Sequence, residues 1–172
     1  MTERANRFST ETIDAMIARY RDGYAEIMRA LDGIDDRELD TPEAPGEWSP
    51  RQVVHHLADS EMTSAIRIRL LVACDNAQIL GYDQERFARV LHYDRPIQAS
   101  LDAFRAARES TAELLDRLTL EDWQSSGHHS ELGAFGAEAW LEYYSGHAHD
   151  HADQIRRARA TAHVRRPDVR HS

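Results

Sequence analysis

The chain contains no lysine; all 21 of its cationic side chains are arginine. Genomic base composition explains that bias, and it carries no functional reading. Cysteine is nearly absent as well. Cys74 stands alone, so no intrachain disulfide can form, and a reducing compartment fits. No apolar run approaches the roughly 18 residues that a membrane helix needs. The stretch Met1-Thr2-Glu3-Arg4-Ala5-Asn6-Arg7 lacks the apolar core of a secretory leader. These absences predict a soluble, cytoplasmic protein with no membrane partner. Positive charge is also short: 30 acidic residues against 21 arginines give a formal net charge of −9. A nucleic-acid backbone is therefore not expected as a partner, since such binders carry basic patches. The run from Arg156-Arg157 to Arg165-Arg166 is a local exception, too sparse to reverse the overall sign.

What is present is a hydrophobic fraction of 41% in 172 residues, enough for a real core and the size of one domain. A single domain over 1–172 is expected, with the first few and the last dozen residues frayed. Four segments carry helical periodicity. The first runs from about Thr10 to Leu31, with Ile13, Met16, Ile17, Tyr20, Tyr24, Ile27 and Leu31 on one stripe and Gly33 as its stop. Thr41 to Glu47 is a loop on its Pro and Gly content. The second helix has a clear start: Ser49 as N-cap, Pro50 at the first helical position and Gln52 completing a capping box. It continues to about Cys74. Asp75 to Pro96 is irregular, with one short helix near Gln84–Val90. A third helix spans about Gln98 to Leu118, with Leu101, Phe104, Leu114, Leu115 and Leu118 inward. Glu121 to Gly136 is polar and Gly-rich. A fourth helix spans about Ala137 to Ala160. No repeat, strand alternation or domain linker is visible, so the expectation is an all-α four-helix bundle with no sheet.

The histidines are the chemistry-bearing feature. His147 and His151 are four residues apart, which stacks them on one face about 5–6 Å apart at Cβ. At about 100° per residue they fall inside the stripe set by Trp140, Tyr144, Ala148 and Ile155. His149 falls on the far side, with Glu138, Glu142 and Arg156, and faces water. Two buried neutral imidazoles each need a donor and an acceptor satisfied, which a core supplies poorly and a shared metal ion resolves. On the second helix, Val53, Leu57, Ile68, Leu71 and Val72 set the inward stripe. His56 lies at its edge and His55 further round, nearer solvent, so His56 is the better third ligand. Glu61 falls near the middle of the stripe, where a carboxylate is costly unless paired or bound. Two roles stay open for it: holding the free N–H of a ligand histidine, or a buried pair with an arginine.

The segment from Trp48-Ser49-Pro50-Arg51-Gln52-Val53-Val54-His55-His56 to Leu57-Ala58-Asp59-Ser60-Glu61 resembles the second-helix signature of the DinB superfamily, most closely its YfiT-like branch. Arg67-Ile68-Arg69-Leu70 through Tyr82-Asp83 resembles the stretch that follows it there. Tyr143-Tyr144 through Gln154-Ile155 resembles the branch's paired-histidine helix. The likeness covers roughly Trp48 to Ile155. It implies an up-down-down-up four-helix bundle, a homodimer, and a divalent metal ion on His56, His147 and His151, the three that the helical wheel selects independently. It also implies a metal-dependent hydrolase, or an S-transferase using a low-molecular-weight thiol such as bacillithiol, mycothiol or glutathione. The His128-His129 pair has no place in the family pattern and reads as loop.

Three neutral histidines leave coordination positions open, and on zinc such a position lowers the pKa of bound water to about 7. A hydrolase would use that hydroxide; a transferase would hold a thiolate instead. Zn or Ni is expected first, with Fe, Mn or Cu also compatible. A small-molecule substrate is expected in either case. Arg67 and Arg69, about three turns beyond His56, are either anion-binding groups for substrate or thiol cofactor, or surface arginines. Cys74 is a weak nucleophile candidate, because nothing near it in sequence lowers its pKa. The rival reading is a non-catalytic metal-binding bundle with a structural or stress-related role, which a fourth protein ligand such as Glu61 would favour.

Overall fold

A computed structural model describes residues 7–164. α1 (Thr10–Leu31) starts where the Ser9 hydroxyl accepts the Thr12 amide, and it buries Ile13, Ile17, Tyr20, Ile27 and Leu31. Gly33, at φ 64°, turns the chain after it. A short α2 (Asp36–Asp40) follows, closed by an Asp35–Glu38 capping box. α3 (Pro50–Ala73) opens as the sequence predicts, with Ser49 and Gln52 exchanging cap hydrogen bonds and Pro50 at the first position. Then come β1 (Ala77–Ile79), α4 (Gln84–Val90), α5 (Gln98–Leu115) and α6 (Leu120–Trp123). β2 (Ser126–His129) and β3 (Gly133–Gly136) form a hairpin that leads directly into α7 (Ala137–Val164).

The four long helices α1, α3, α5 and α7 form the bundle, and their contacts fix its course. Arg7 and Phe8, just before α1, reach Glu138 near the start of α7, and Ala30 near the end of α1 reaches Arg159. The two helices are therefore parallel. His56 meets His147 while Ser64 meets Trp140, so α3 and α7 are antiparallel. His55 meets Ser100 while Arg69 meets Thr111, so α3 and α5 are parallel. That is an up-down-down-up bundle. Parallel neighbours need a crossover, and residues 74–97, with β1 and α4, supply it.

The expectation of no sheet is overturned. β1 pairs in parallel with β2, and β2 antiparallel with β3. Strands of three and four residues are too short to display a period-2 pattern, and the polar, Gly-rich stretch before the last helix contains the hairpin. Gly127 is required there, since a Cβ would collide with the Ala77 carbonyl oxygen on the neighbouring strand. The His128-His129 pair lies on β2 rather than in a loop. The third helix ends at Leu115 rather than Leu118. The fourth runs a turn past Ala160 to Val164, so 161–164 are helical rather than frayed. The fraying expected for the first few residues, and for 165–172 with Arg165 and Arg166, lies outside the described residues.

Two hydrophobic clusters fill the bundle. One gathers Ile13, Ile17, Ile68, Leu115 and Trp140 toward the sheet end. The other gathers Ile27, Leu57, Phe104, Ala148 and Ile155 toward the opposite end.

Candidate metal centre

His56 lies in the second turn of α3, and His147 and His151 sit one turn apart on α7. Because these helices are antiparallel neighbours, the three rings converge. The His56 ring centroid is 5.4 Å from that of His147 and 4.9 Å from that of His151; His147 and His151 are 4.6 Å apart. One ring nitrogen from each lies within 4.8 Å of the other two. His56 Nε2 and His147 Nε2 are 3.4 Å apart. Two nitrogens bound tetrahedrally at about 2.0–2.1 Å from one ion stand roughly 3.3 Å apart, so the separation fits a shared cation.

Protonation favours the same reading. Burial, followed by the neighbouring His151, pulls the His56 pKa down to about 3. Burial, then His151 and His56, holds His147 well below the ordinary imidazole value, and burial lowers His151. All three are neutral at pH 7 and present lone pairs. His151 Nδ1 donates to Gln154 Oε1 at 2.8 Å, one turn on, which places the bare lone pair on Nε2. His56 is held by packing: the Trp48 ring lies 4.8 Å from it, and its buried Nδ1 meets no hydrogen-bond partner. Tyr143 stacks on His147 at 5.4 Å. Gln154, Trp48 and Tyr143 were not singled out from sequence as site residues. Gln154 was legible in principle, being three residues beyond His151 and on the same face.

Glu61 takes the second of its two roles. Its Oε2 accepts from Arg108 Nη2 at 2.7 Å and Nε at 3.2 Å, its Oε1 accepts from the Tyr20 hydroxyl, and all three residues are buried. It holds no ligand histidine. His55 is a correction: it is fully buried rather than near solvent. One ring nitrogen pairs with Ser100 Oγ at 2.7 Å and the other with the Arg95 carbonyl at 2.9 Å. The wheel ignored the crossover, whose residues cover that face. His149 points away from the triad as expected, but it is half-buried, and its Nε2 donates to the Arg19 carbonyl at 3.0 Å. With Asp22 and Glu26 it forms a second cluster of ligand-type groups. Arg29 and Arg156 already occupy those carboxylates. Arg69 bonds Ala65, Thr111 and Ser110 and ties α3 to α5. Arg67 lines a cavity beside the triad. Cys74 is exposed and free at the end of α3.

The family model of the DinB superfamily matches residues 19–155. The chain belongs to this family. A relative from Bacillus cereus (strain 03BB102), named "Putative metal-dependent hydrolase", is 34% identical over 145 residues, covering 84% of each chain. A second, from Bacillus anthracis (strain A0248) and named likewise, is 33% identical over the same length and coverage. Among solved structures, YfiT from Bacillus subtilis superposes with a TM-score of 0.84 at 28% identity, covering 92% of both chains. It is described as "a probable metal-dependent hydrolase with an unusual four-helix bundle topology". The four-helix bundle protein TT2238 shares the fold at a TM-score of 0.60 and 19% identity, over 83% of this chain and 97% of that one.

Proposed function

We propose that this DinB-superfamily chain is a metal-dependent hydrolase that holds one divalent ion on His56, His147 and His151. The observation that carries the reading is the 3.4 Å approach of two neutral, buried imidazole nitrogens with a third beside them. Among the described residues the ligand-type group around His56 contains these three members and no carboxylate, and Glu61 is committed to Arg108. A donor set of three neutral histidines suits zinc or nickel, and it leaves the open position of a catalytic site rather than the closed four-ligand shell of a structural one. A divalent ion held this way supplies Lewis acidity, polarising a bound oxygen and acidifying water.

The protein's own part is positional. Gln154 fixes the tautomer of His151. Trp48 and Tyr143 pack on the rings of His56 and His147, and the bundle core keeps all three imidazoles uncharged. Elemental analysis of the purified chain and of His56→Ala, His147→Ala and His151→Ala tests the site. About one equivalent of metal in the parent and little in each variant is expected; full metal in all three variants would sink the reading. His149→Ala should retain its metal. Hydrolysis of ester and amide panels by the zinc-loaded chain, without added thiol, tests the activity. Turnover that appears only when a thiol is supplied would replace the hydrolase with an S-transferase on the same ligands.

A further inference from the structure

A cavity of about 230 Å³ opens between α3, α7, the segment after β1 and the β2–β3 hairpin. Its walls are largely aromatic: Tyr82, Phe135, Tyr143 and Tyr144 all face it. Its polar lining mixes the hydroxyl of Ser60, the amide of Gln84 and the carboxylate of Glu131 with a group of donors. Arg67 gives Nη1 to the Tyr144 hydroxyl at 3.3 Å and Nη2 to the Leu80 carbonyl, but its Nε–H is buried with no acceptor. The Tyr82 hydroxyl is likewise buried without a partner; Ser60 lies near it without hydrogen-bond geometry. Burial pushes the Tyr82 phenol up to about 12, so it keeps its proton. His129, kept neutral chiefly by burial, accepts the Glu131 amide on Nδ1 and therefore carries its own proton on Nε2.

A buried donor left without an acceptor is costly. Two such donors, the Nε–H of the Arg67 guanidinium and the Tyr82 hydroxyl, belong to the wall of an aromatic cavity. That combination lacks an anionic acceptor carried on a flat apolar body. We propose that this cavity binds a small aromatic acid, its carboxylate accepting from Arg67 and Tyr82 and its ring lying among Phe135, Tyr143 and Tyr144. The volume lies below the roughly 300 Å³ lower bound of drug-sized pockets, which limits the ligand to about one ring and a short acid arm. A single negative charge is specified. Among the described residues Arg67 is the only permanent cation on the lining, and Glu131, the one carboxylate there, packs against Gly81 and would oppose a dianion. None of the three histidines lines the cavity; Tyr143 and Tyr144, which touch His147, form the partition. The proposal therefore stands apart from the metal reading.

Isothermal titration calorimetry of the full chain with phenylacetate tests it, with the protein once chelator-treated and once zinc-loaded. Saturable one-to-one binding is expected in both states. Phenylacetamide should bind about tenfold more weakly, as should phenylacetate to Arg67→Met, the scale of a charge-assisted hydrogen bond. Tyr82→Phe, which removes only the hydroxyl and keeps the ring, should lose about fivefold. Glu131→Gln should bind as tightly as the parent or more so. No saturable binding, equal affinity for acid and amide, or an undiminished Arg67→Met would each overturn the proposal. If Arg67→Met does not fold, an undiminished Tyr82→Phe overturns it instead.

Discussion

Glu61 shows how far a residue can be read from sequence. Its position on the apolar stripe of α3 predicts a buried carboxylate, and the two roles left open for it differ only in the partner. That partner, Arg108, lies 47 positions away on α5, and no periodicity on one helix reveals it. The site for its guanidinium is carved by Gly23 on α1, where a Cβ would strike Arg108 itself. Removing one half of a buried pair leaves the other charged and alone, at a cost of about 3–5 kcal/mol. Glu61→Leu should destabilise the chain by about that much in urea unfolding, and Glu61→Leu with Arg108→Met should recover most of the loss. Metal content should be unchanged in the double variant, because Glu61 touches none of the three histidines; a loss of metal there would restore its role as a ligand's hydrogen-bond partner. Gln154 makes the opposite forecast. Gln154→Ala should leave stability nearly unchanged and weaken zinc affinity by about 10–100-fold in a chelator competition, the usual effect of removing a ligand's hydrogen-bond partner. The three candidate histidines were legible because two lie on one helix at i and i+4, and the third faces them from a helix with an unmistakable cap.

At the scale of elements, α1, α3 and α4 begin where cap residues say they begin, because Ser9, Ser49 and Asp83 accept amides that only a helix start leaves free. The small sheet escaped notice for a different reason. β1 and β2 are parallel partners separated by about fifty residues of chain, and each is too short to carry its own pattern. Yet the sheet has consequences. It sets the hairpin against the segment after β1, where Gly81 N donates to Ser130 Oγ at 2.9 Å, and so builds one wall of the cavity beside the triad. Between helices, Glu26 of α1 accepts from Arg29 and from Arg156 of α7, and these bonds lower its pKa from 4.5 to about 2. A carboxyl whose pKa is lower when folded binds more protons when unfolded, so its stabilisation is present above pH 4.5 and is lost as pH falls toward 2. Both arginines are substantially exposed, so solvent screening keeps the network's contribution small. The stability gap between the parent and Glu26→Gln should be small but present at pH 6, shrink across pH 4.5 to 2, and narrow in high salt. A gap that is independent of pH would exclude the ionic link.

In the whole molecule, the up-down-down-up course sets the histidine-bearing faces of α3 and α7 against each other. α7 brings two histidines, its antiparallel neighbour α3 brings the third, and α5 runs parallel to α3 after the crossover. The apolar stripes made the number of long helices legible, while the order was carried by the family resemblance and not by periodicity; contacts such as His56 with His147 and Arg69 with Thr111 bear it out. The arrangement leaves the triad bridging two helices at the centre of the bundle, so an ion there couples to global stability as well as to chemistry. A ligand that binds only the folded state stabilises it by RT ln(1 + [L]/Kd), about 2.7 kcal/mol at a hundredfold excess over Kd. For a chain of this length each kcal/mol shifts Tm by roughly 2–4 °C. Free zinc held a hundredfold above its dissociation constant should therefore raise the Tm of the chelator-treated chain by about 5–10 °C. His56→Ala, His147→Ala and His151→Ala should each lose most of that rise, whereas His149→Ala should keep it. The contrast within one helix is the decisive readout, since His147, His149 and His151 share composition and length of side chain and differ only in the direction they face. A rise that survives in all three triad variants would place the zinc elsewhere, and a rise lost in His149→Ala as well would point to the Asp22, Glu26 and His149 cluster.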